Sequence, residues 1–196
     1  RDSNRRTLLS LLSSDGFEPV DLGLLPDDET LIEEALIQGS QDCDAVITSG
    51  GVSMGDYDYV KEVLKRVGDM RWMQIAIKPA KPLAFGTIGD TPIFGLPGNP
   101  VSSMVSYELF ARSGLRSMMG FPQPVRPTIQ GIAATPLQRR EDGKIHFARV
   151  DVKHEGSELV AYSISGQGSH MLAAMARSNA LAVLPDGDGC QVGDPV

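Results

Sequence analysis

The sequence predicts an α/β domain over residues 1–122, followed by a small, mainly β domain over residues 123–196. In the first part, segments with apolar residues three and four apart alternate with short β-branched runs, as in strands joined by crossover helices. In the second part, alternating strands are separated by Asp-Gly and Glu-Gly turns. We therefore expect a largely parallel sheet covered by helices, with ligands bound at the carboxyl ends of its strands.

Each helix predicted in the first domain begins at a capping residue and carries one apolar face. The candidate caps of the first three helices are, in order, Ser3 or Asn4, Asp27 or Asp28, and Asp56 or Asp58. A strand over residues 45–48 lies between the second and third helices, and the strand MQIAI follows the third. The short strands PLAFG and TPIFG then flank a turn at Gly89 and Asp90, and the last helix begins at Pro100.

Composition limits the classes of partner. The formal net charge of −7 argues against a general nucleic-acid surface, which is basic because it must neutralise phosphates. No apolar run approaches the roughly 18 residues that would span a bilayer, so we expect no membrane partner. The two cysteines form no disulfide framework, which favours a reducing compartment and predicts a cytoplasmic protein. The chain opens on a helix with no strand before it, so we expect a fragment of a longer protein.

The segment GLPGNPVSS predicts a helix N-terminus that faces a ligand. Pro100 suits the first helical position, Asn99 suits the cap, and Gly98 lets the backbone come close to a bound group. Free N–H groups and the helix dipole attract phosphate or another oxyanion at such an end. The alternative is that Pro97 to Pro100 form only a tight turn from strand to helix.

Two further loops favour an anionic ligand. In TSGGVSMGDYD, three glycines free the backbone to surround an anion, and Ser49 and Ser53 offer hydroxyl groups, although a plain glycine-rich turn is the alternative. Asp58 would either cap its helix or hold a divalent cation beside phosphates. In KPAKP, Lys78 and Lys81 form a stiff cationic patch, for which the alternative is a surface loop with incidental lysines. Together, the three loops predict a phosphorylated ligand.

Several segments in unbroken order resemble the molybdopterin molybdenumtransferase family, the MoeA-like proteins, whose animal relative is the gephyrin E domain. The segments are RDSN, LGLLPDD, ITSGGVSMGDYD, IKPAKPLAFG, GLPGNPVSS and GSHMLAAMARSNALAVLP. The resemblance implies a three-layer sheet domain of the molybdopterin-binding (MogA/MoaB-like) type, here without its first strand, and a β-rich C-terminal domain. It also implies a homodimer and an enzyme that inserts molybdate into adenylylated molybdopterin, releasing AMP with Mg²⁺ present.

The same resemblance implies roles for individual residues. Asp27, Asp58 and Lys78 would be catalytic, and Asp27 and Asp58 would also be the Mg²⁺ ligands. Arg149 and Ser169 would complete the oxyanion site from the second domain. The full set implied to bind substrate is Ser49, Gly50, Gly51, Ser53, Gly55, Pro79, Lys81, Pro97, Gly98, Asn99, Pro100, Ser102, Arg149 and Ser169.

The chain departs from the family pattern at two positions. Many relatives have glycine where this chain has Ala80, and some have lysine where it has Gln74. Two other functions remain open at this point. One is that of the related adenylyltransferases, which share the sheet domain but commonly carry GGTG in the glycine loop instead of GGVSMG. The other is a non-catalytic scaffold or binding module of the gephyrin type.

Overall fold

The computed structural model describes residues 2–52, 58–168 and 171–196. By contact, the chain divides into two compact units. The first runs up to Ile75 and includes Pro82–Arg126, and the second combines Ala76–Lys81 with Pro127–Val196. The domain limits predicted from the sequence, 1–122 and 123–196, stay a prediction. No helix within the described ranges is long and apolar enough to cross a membrane.

The helices and strands follow one another as the sequence predicts in outline. The helices are α1 (Ser3–Ser14), α2 (Glu29–Asp42), α3 (Tyr59–Val67), α4 (Pro100–Ser106), α5 (Arg112–Met118) and α6 (Leu172–Ala176), and a π-helical stretch (Tyr107–Ala111) joins α4 to α5 without a break. The strands are β1 (Val46–Ser49), β2 (Asp69–Gln74), β3 (Ile77–Lys78), β4 (Pro82–Ile88), β5 (Thr91–Leu96), β6 (Ile132–Ala133), β7 (Leu137–Gln138), β8 (Ile145–Glu155), β9 (Glu158–Ser163), β10 (Ala180–Leu184) and β11 (Gly189–Cys190).

The predicted α/β fold class is confirmed, but the sheet of the first unit is mixed and not mostly parallel. Its strand order is β1-β5-β4-β2. Only β1 and β5 pair in parallel, whereas β4 pairs antiparallel with both β5 and β2. The physical reason lies in the short turn at Gly89 and Asp90, because a two-residue connection joins neighbouring strands only as an antiparallel hairpin.

Apolar side chains on both faces of this sheet make the first unit three-layered. Phe94 and Leu96 point to one face with Leu8 of α1 and Tyr107, whereas Ile93, directly before Phe94, points to the other face. This alternation follows from the two-residue period of a strand. The second cluster contains residues from α2, α3 and the sheet: Ile32, Leu36, Val46, Val63, Leu64 and Ile93. The sheet is therefore buried between two helical layers.

The helix caps differ in part from the prediction. The first helix is capped by Asp2, whose carboxylate accepts the Arg5 N–H at 3.1 Å, and not by Ser3 or Asn4. Of the two candidates for the second helix, Asp28 is the cap, since it accepts the N–H groups of Thr30 and Leu31. Asp2 was missed because neighbouring Ser and Asn residues have equal or similar capping preference. Because Asp2 is the cap, the side chain of Asn4 is available for other hydrogen bonds.

The second unit is built around the long strand β8. Its five-stranded sheet has the order β10-β8-β9-β6, and β3 also pairs with the start of β8. The sequence placed residues 73–77 in one strand, but the structure divides this segment into β2 and β3. The division follows the pairing: β2 lies along β4, whereas Lys78 lies opposite His146 of β8. A core of Ala133, Leu137, Val150, Ala161, Ala182 and Leu184 packs beneath the sheet.

Candidate functional site

The glycine loop after β1 has the backbone conformation that only glycine adopts readily. Gly50 and Gly51 have φ values of 103° and 76°, in the left-handed region. A Cβ on Gly51 would lie 2.5 Å from Cβ of Val60, so this position also lacks room for a side chain. The Gly50 N–H donates to the Leu96 carbonyl at 2.9 Å, which extends the pairing of β1 with β5. Two predicted members of this loop, Ser53 and Gly55, lie outside the described residues.

The segment from Pro97 to Pro100 lies directly beside the glycine loop. Pro97 is buried, Gly98 and Asn99 are exposed, and Pro100 opens α4 as predicted. An ideal Cβ on Gly98 would be 3.7 Å from the Gly50 Cα, so the two loops touch through glycine. Asn99 occupies the cap position but makes no capping bond within the described part of the chain. The glycine loop and the Pro97–Pro100 segment are therefore in contact.

Hydrogen bonds from Asn4 join the two loops. Its Nδ2 atom donates to Oγ of Ser49 at 2.8 Å and to the carbonyl of Gly98 at 2.7 Å. Oγ of Ser49 in turn lies 3.3 Å from Oγ of Ser103, which is 1% exposed. Sequence reasoning selected the neighbouring Ser102, which is also buried, and missed both Asn4 and Ser103. The RDSN segment, one of those that carry the family resemblance, could have pointed to Asn4. The residues to which Asn4 bonds, however, are far from it in sequence.

The two predicted carboxylates occupy different positions at the ends of helices. Asp27 is exposed just before the cap of α2, so its carboxylate is not used for capping. Asp58 precedes α3, and its Oδ1 atom is 3.1 Å from the ideal Cβ position of Gly51, which places it against the glycine loop. No hydrogen bond or ion pair between described residues connects Asp27 to the other predicted residues.

Their oxygen chemistry fits a hard cation such as Mg²⁺, which prefers one or two carboxylates completed by phosphates or water. Within residues 2–52, 58–168 and 171–196, no group of three or more His, Cys, Asp or Glu is arranged to hold a metal ion. A Mg²⁺ ion held by these carboxylates would complete its coordination with oxygen atoms from phosphates or water. Asp58 is the better placed of the two carboxylates for such a site, because it adjoins the glycine loop.

The loop that carries Lys78 and Lys81, here called the lysine loop, belongs to the second unit. An ion-pair cluster lies beside it. Nζ of Lys78, an exposed group, is 3.8 Å from a carboxylate oxygen of Asp142, and Nε2 of His146 is 3.0 Å from the other oxygen. Burial acts to raise the pKa of Asp142, but hydrogen bonds from His146 and Lys144 outweigh it and hold that pKa below its usual value. The ion pair between Lys78 and Asp142 thus connects the loop to the turn before β8.

Ala80 in this loop has φ 76°, although it is not glycine, and only 2% of it is exposed. The alanine therefore keeps the backbone conformation for which glycine is favoured, at a cost in strain. The neighbouring Pro79 is half-buried, and Lys81 is exposed.

Arg149 is buried in the second unit with only 1% of its surface exposed. It donates to the carbonyls of Gly166 at 2.7 Å and Gly168 at 3.4 Å, and its Nε atom is buried without a partner in the described structure. Burial lowers the pKa of this guanidinium from its usual value. A buried cation bonded to carbonyl groups and not to a carboxylate keeps charge available for an anion. Ser169 lies outside the described residues.

The predicted site residues are thus distributed over both units. In the first unit, the structure brings together Ser49, Gly50, Gly51, Gly98 and Asp58. In the second unit, Lys78 lies in the ion-pair cluster of Asp142, while Arg149 is bonded to the loop of residues 166–168. Sequence reasoning missed Asp142 because its connection to the lysine loop is the ion pair with Lys78, which is distant in the chain.

Comparison with known proteins gives two family matches in the order of the two units. Residues 1–117 match the family model described as a probable molybdopterin binding domain. Residues 132–196 match the model described as the MoeA C-terminal region, or domain IV.

Curated proteins and solved structures agree with these matches. A molybdopterin molybdenumtransferase of Haemophilus influenzae is 39% identical over 184 residues, which cover 93% of this chain and 46% of that protein. A gephyrin of Dictyostelium discoideum is 32% identical, with 96% of this chain and 31% of that protein covered. The crystal structure of a MoeA molybdopterin biosynthesis protein from Pyrococcus horikoshii OT3 superposes with a TM-score of 0.75 at 29% identity, covering 100% of this chain and 45% of that one. The chain spans less than half the length of each.

Proposed function

Because this chain belongs to the family of probable molybdopterin binding domains, we propose that it carries part of the active site of a molybdopterin molybdenumtransferase. The reaction is the insertion of molybdate into adenylylated molybdopterin with release of AMP. The observation that carries the proposal is the contact between the glycine loop and the segment of Pro97 to Pro100, where Gly50 meets Gly98. The names of the relatives and the match of the C-terminal region to MoeA support it.

The two touching loops suit the phosphate part of such a substrate. The first intrahelical bond of α4 comes from the Ser103 N–H to the Asn99 carbonyl at 2.9 Å. The N–H groups of Val101 and Ser102 precede it, have no backbone partner among the described residues, and would donate to an oxyanion. A Cβ on Gly50 would meet none of the described residues within 4 Å, so they leave open space above its Cα. Fixed backbone donors of this kind stabilise charge that develops when a phosphoanhydride breaks, without having to reorganise.

Asp27 and Asp58 would hold Mg²⁺ at this site. When bound, Mg²⁺ would neutralise charge on the pyrophosphate and so favour loss of AMP. Lys78 and Arg149 would stabilise the second substrate, molybdate, because Lys78 is an exposed cation at 3.8 Å from Asp142 and Arg149 is bonded to carbonyl groups. Positioning molybdate beside the dithiolene would supply much of the remaining acceleration by proximity.

The two alternative functions are less well supported. The Haemophilus influenzae relative is named for the molybdenumtransferase, and the second unit matches the MoeA C-terminal region. Both observations favour the transferase over the adenylyltransferase. No specific contact in the described structure favours a non-catalytic scaffold.

The proposal is tested by AMP release from adenylylated molybdopterin, measured with and without molybdate in the whole protein in which this sequence occurs. We expect molybdate-dependent release that falls when Asp58 is replaced in Asp58→Asn, most strongly at limiting Mg²⁺. Asp90→Asn, in the exposed β4–β5 turn, is the matched control and should leave release unchanged. Release that does not depend on molybdate would contradict the insertion reaction, and an unchanged Mg²⁺ dependence in Asp58→Asn would contradict the metal role.

A homodimer and a cytoplasmic location belong to the same proposal. Resemblance to the family supports the dimer, and the free state of Cys43 and Cys190 fits a reducing compartment. Sedimentation equilibrium tests the first and fractionation of cells tests the second. A monomeric mass at micromolar concentration would contradict the dimer.

A further inference from the structure

We infer that Asn4 is a positioning residue that holds the glycine loop and the Pro97–Pro100 segment at a fixed separation. The inference deepens the proposed function, because these two loops are the ones assigned to the phosphate part of the substrate. Asn4 itself lies in the first turn of α1, outside both loops. It acts on the ligand only through the loops that it joins.

The amide of Asn4 is fully committed as a donor. An Asn side chain has two N–H groups, and those of Asn4 are directed to Oγ of Ser49 at 2.8 Å and to the Gly98 carbonyl at 2.7 Å. The Gly98 partner also sets the orientation of the amide, because a carbonyl accepts only from the nitrogen. Oδ1 is consequently buried without a partner in the part of the chain described. The orientation that gives Nδ2 both of its hydrogen bonds thus leaves Oδ1 without one.

Both bonds connect segments that are remote in sequence. Ser49 is 45 residues from Asn4, and Gly98 is 94 residues from it. Ser49 passes the connection on to Ser103 of α4, whose hydroxyl is 3.3 Å away. Three elements, namely α1, the end of β1 and the start of α4, are therefore tied at one point. The strand pairing at Gly50 and Leu96 already brings the two loops close, and Asn4 sets how far apart their tips are.

A fixed separation matters because an oxyanion between two loops needs donors from both at once. Binding groups must be held within about 0.5 Å of the productive geometry, and this precision comes from the residues that support them. Gly50 and Gly98 have no side chains that could fix the position of their backbone, so a neighbouring residue must fix it. Asn4 is that neighbour in the described structure.

The test compares Asn4→Ala with Ser10→Ala in the 196-residue chain. Ser10 is the matched control, since it also lies on α1 and its hydroxyl bonds only to the Arg6 carbonyl of the same helix in the described structure. The first readout is amide hydrogen exchange without ligand. We expect the Gly50 and Ser103 amides to exchange about tenfold faster in Asn4→Ala, as for the loss of one to two hydrogen bonds, and to be unchanged in Ser10→Ala.

The second readout is calorimetric titration with inorganic pyrophosphate. We expect the dissociation constant to rise about tenfold in Asn4→Ala, from the same loss of hydrogen bonds, and to stay unchanged in Ser10→Ala. If Asn4 only anchored α1, exchange would accelerate along α1 and not at Gly50 or Ser103, and this result would overturn the inference. Faster loop exchange in a chain that binds no pyrophosphate would support the role of Asn4 and contradict the proposed phosphate site. Unchanged loop exchange would overturn the inference whatever the titration shows.

Discussion

At the scale of single residues, Gly51 is a position of the glycine loop that has no room for a side chain. We predict that Gly51→Ala lowers the free energy of unfolding by about 3 kcal/mol, from left-handed strain and the clash with Val60. Gly50→Ala is the control, because Gly50 shares the positive φ but a Cβ there would meet no described residue within 4 Å. It should lose about 1 kcal/mol. Urea denaturation measures both variants, and equal losses would show that the contact with Val60 is unimportant.

The buried pair of Arg112 and Asp15 is a second residue-scale feature. Their side chains are 7% and 9% exposed, and Nε of Arg112 donates to Asp15 at 2.9 Å. Burial acts to raise the pKa of Asp15, but bonds from Arg112 and Tyr107 outweigh it and lower that pKa below 3.8. We predict that Arg112→Met costs about 3 kcal/mol at pH 7, because the carboxylate loses its buried partner.

The sign of the pH dependence follows from this lowered pKa. The stability that the ion pair contributes is complete above the ordinary pKa of Asp15 and is lost as the pH falls through the folded-state value. The difference between Arg112→Met and the unchanged chain should therefore shrink below about pH 4. Arg126→Met is the control, since Arg126 is 55% exposed and should cost no more than about 1 kcal/mol. A difference that stays constant from pH 7 to pH 3 would contradict the role of the pair.

At the scale of elements, the connection from β7 to β8 depends on Arg139. Its side chain is fully buried and donates to the carbonyls of Lys144 and Leu184, as well as to the carboxylates of Asp142 and Asp186. It therefore ties the turn before β8 to the end of β10. We predict that Arg139→Met lowers the free energy of unfolding by about 3 kcal/mol, because two partly buried carbonyls and two carboxylates lose the buried donor that joins them.

The neighbouring Arg140 offers a matched control for this element, since its side chain is exposed. Arg140→Met should change the unfolding free energy by less than about 0.5 kcal/mol. Thermal unfolding followed by circular dichroism compares the two variants. Equal stability of both would mean that strand pairing alone holds the connection.

At the scale of the whole molecule, each of the two units has its own apolar core. Leu96 is fully buried in the first and Leu184 is 2% exposed in the second. We predict that Leu96→Ala and Leu184→Ala each cost about 2–5 kcal/mol, through a cavity that closes only in part. Hydrogen exchange should accelerate mainly in the unit that carries the substitution. Equal acceleration in both units by either variant would contradict separate cores.

Much of the fold could be predicted from the sequence because its signals are local. Helical periodicity identified α1, α2, α3 and the helix at Pro100, and Gly89 and Asp90 identified the turn between β4 and β5. The sheet was wrongly predicted to be mostly parallel, and the segment of residues 73–77 to form one strand. Both errors concern which strands pair, and pairing depends on residues that are distant in the chain.

The sequence by itself determined the features that a few adjacent residues decide: backbone freedom at Gly50 and Gly51, a proline at the first position of α4, and a helix capped at Asp27 or Asp28, of which the structure has Asp28. These are steric and hydrogen-bonding requirements of the local backbone, so residue type reveals them. Only the tertiary structure decided that Asn4 joins Ser49 to Gly98. A side-chain amide can bond to any polar group within reach, and which groups come within reach is decided by the packing of the helices on the sheet.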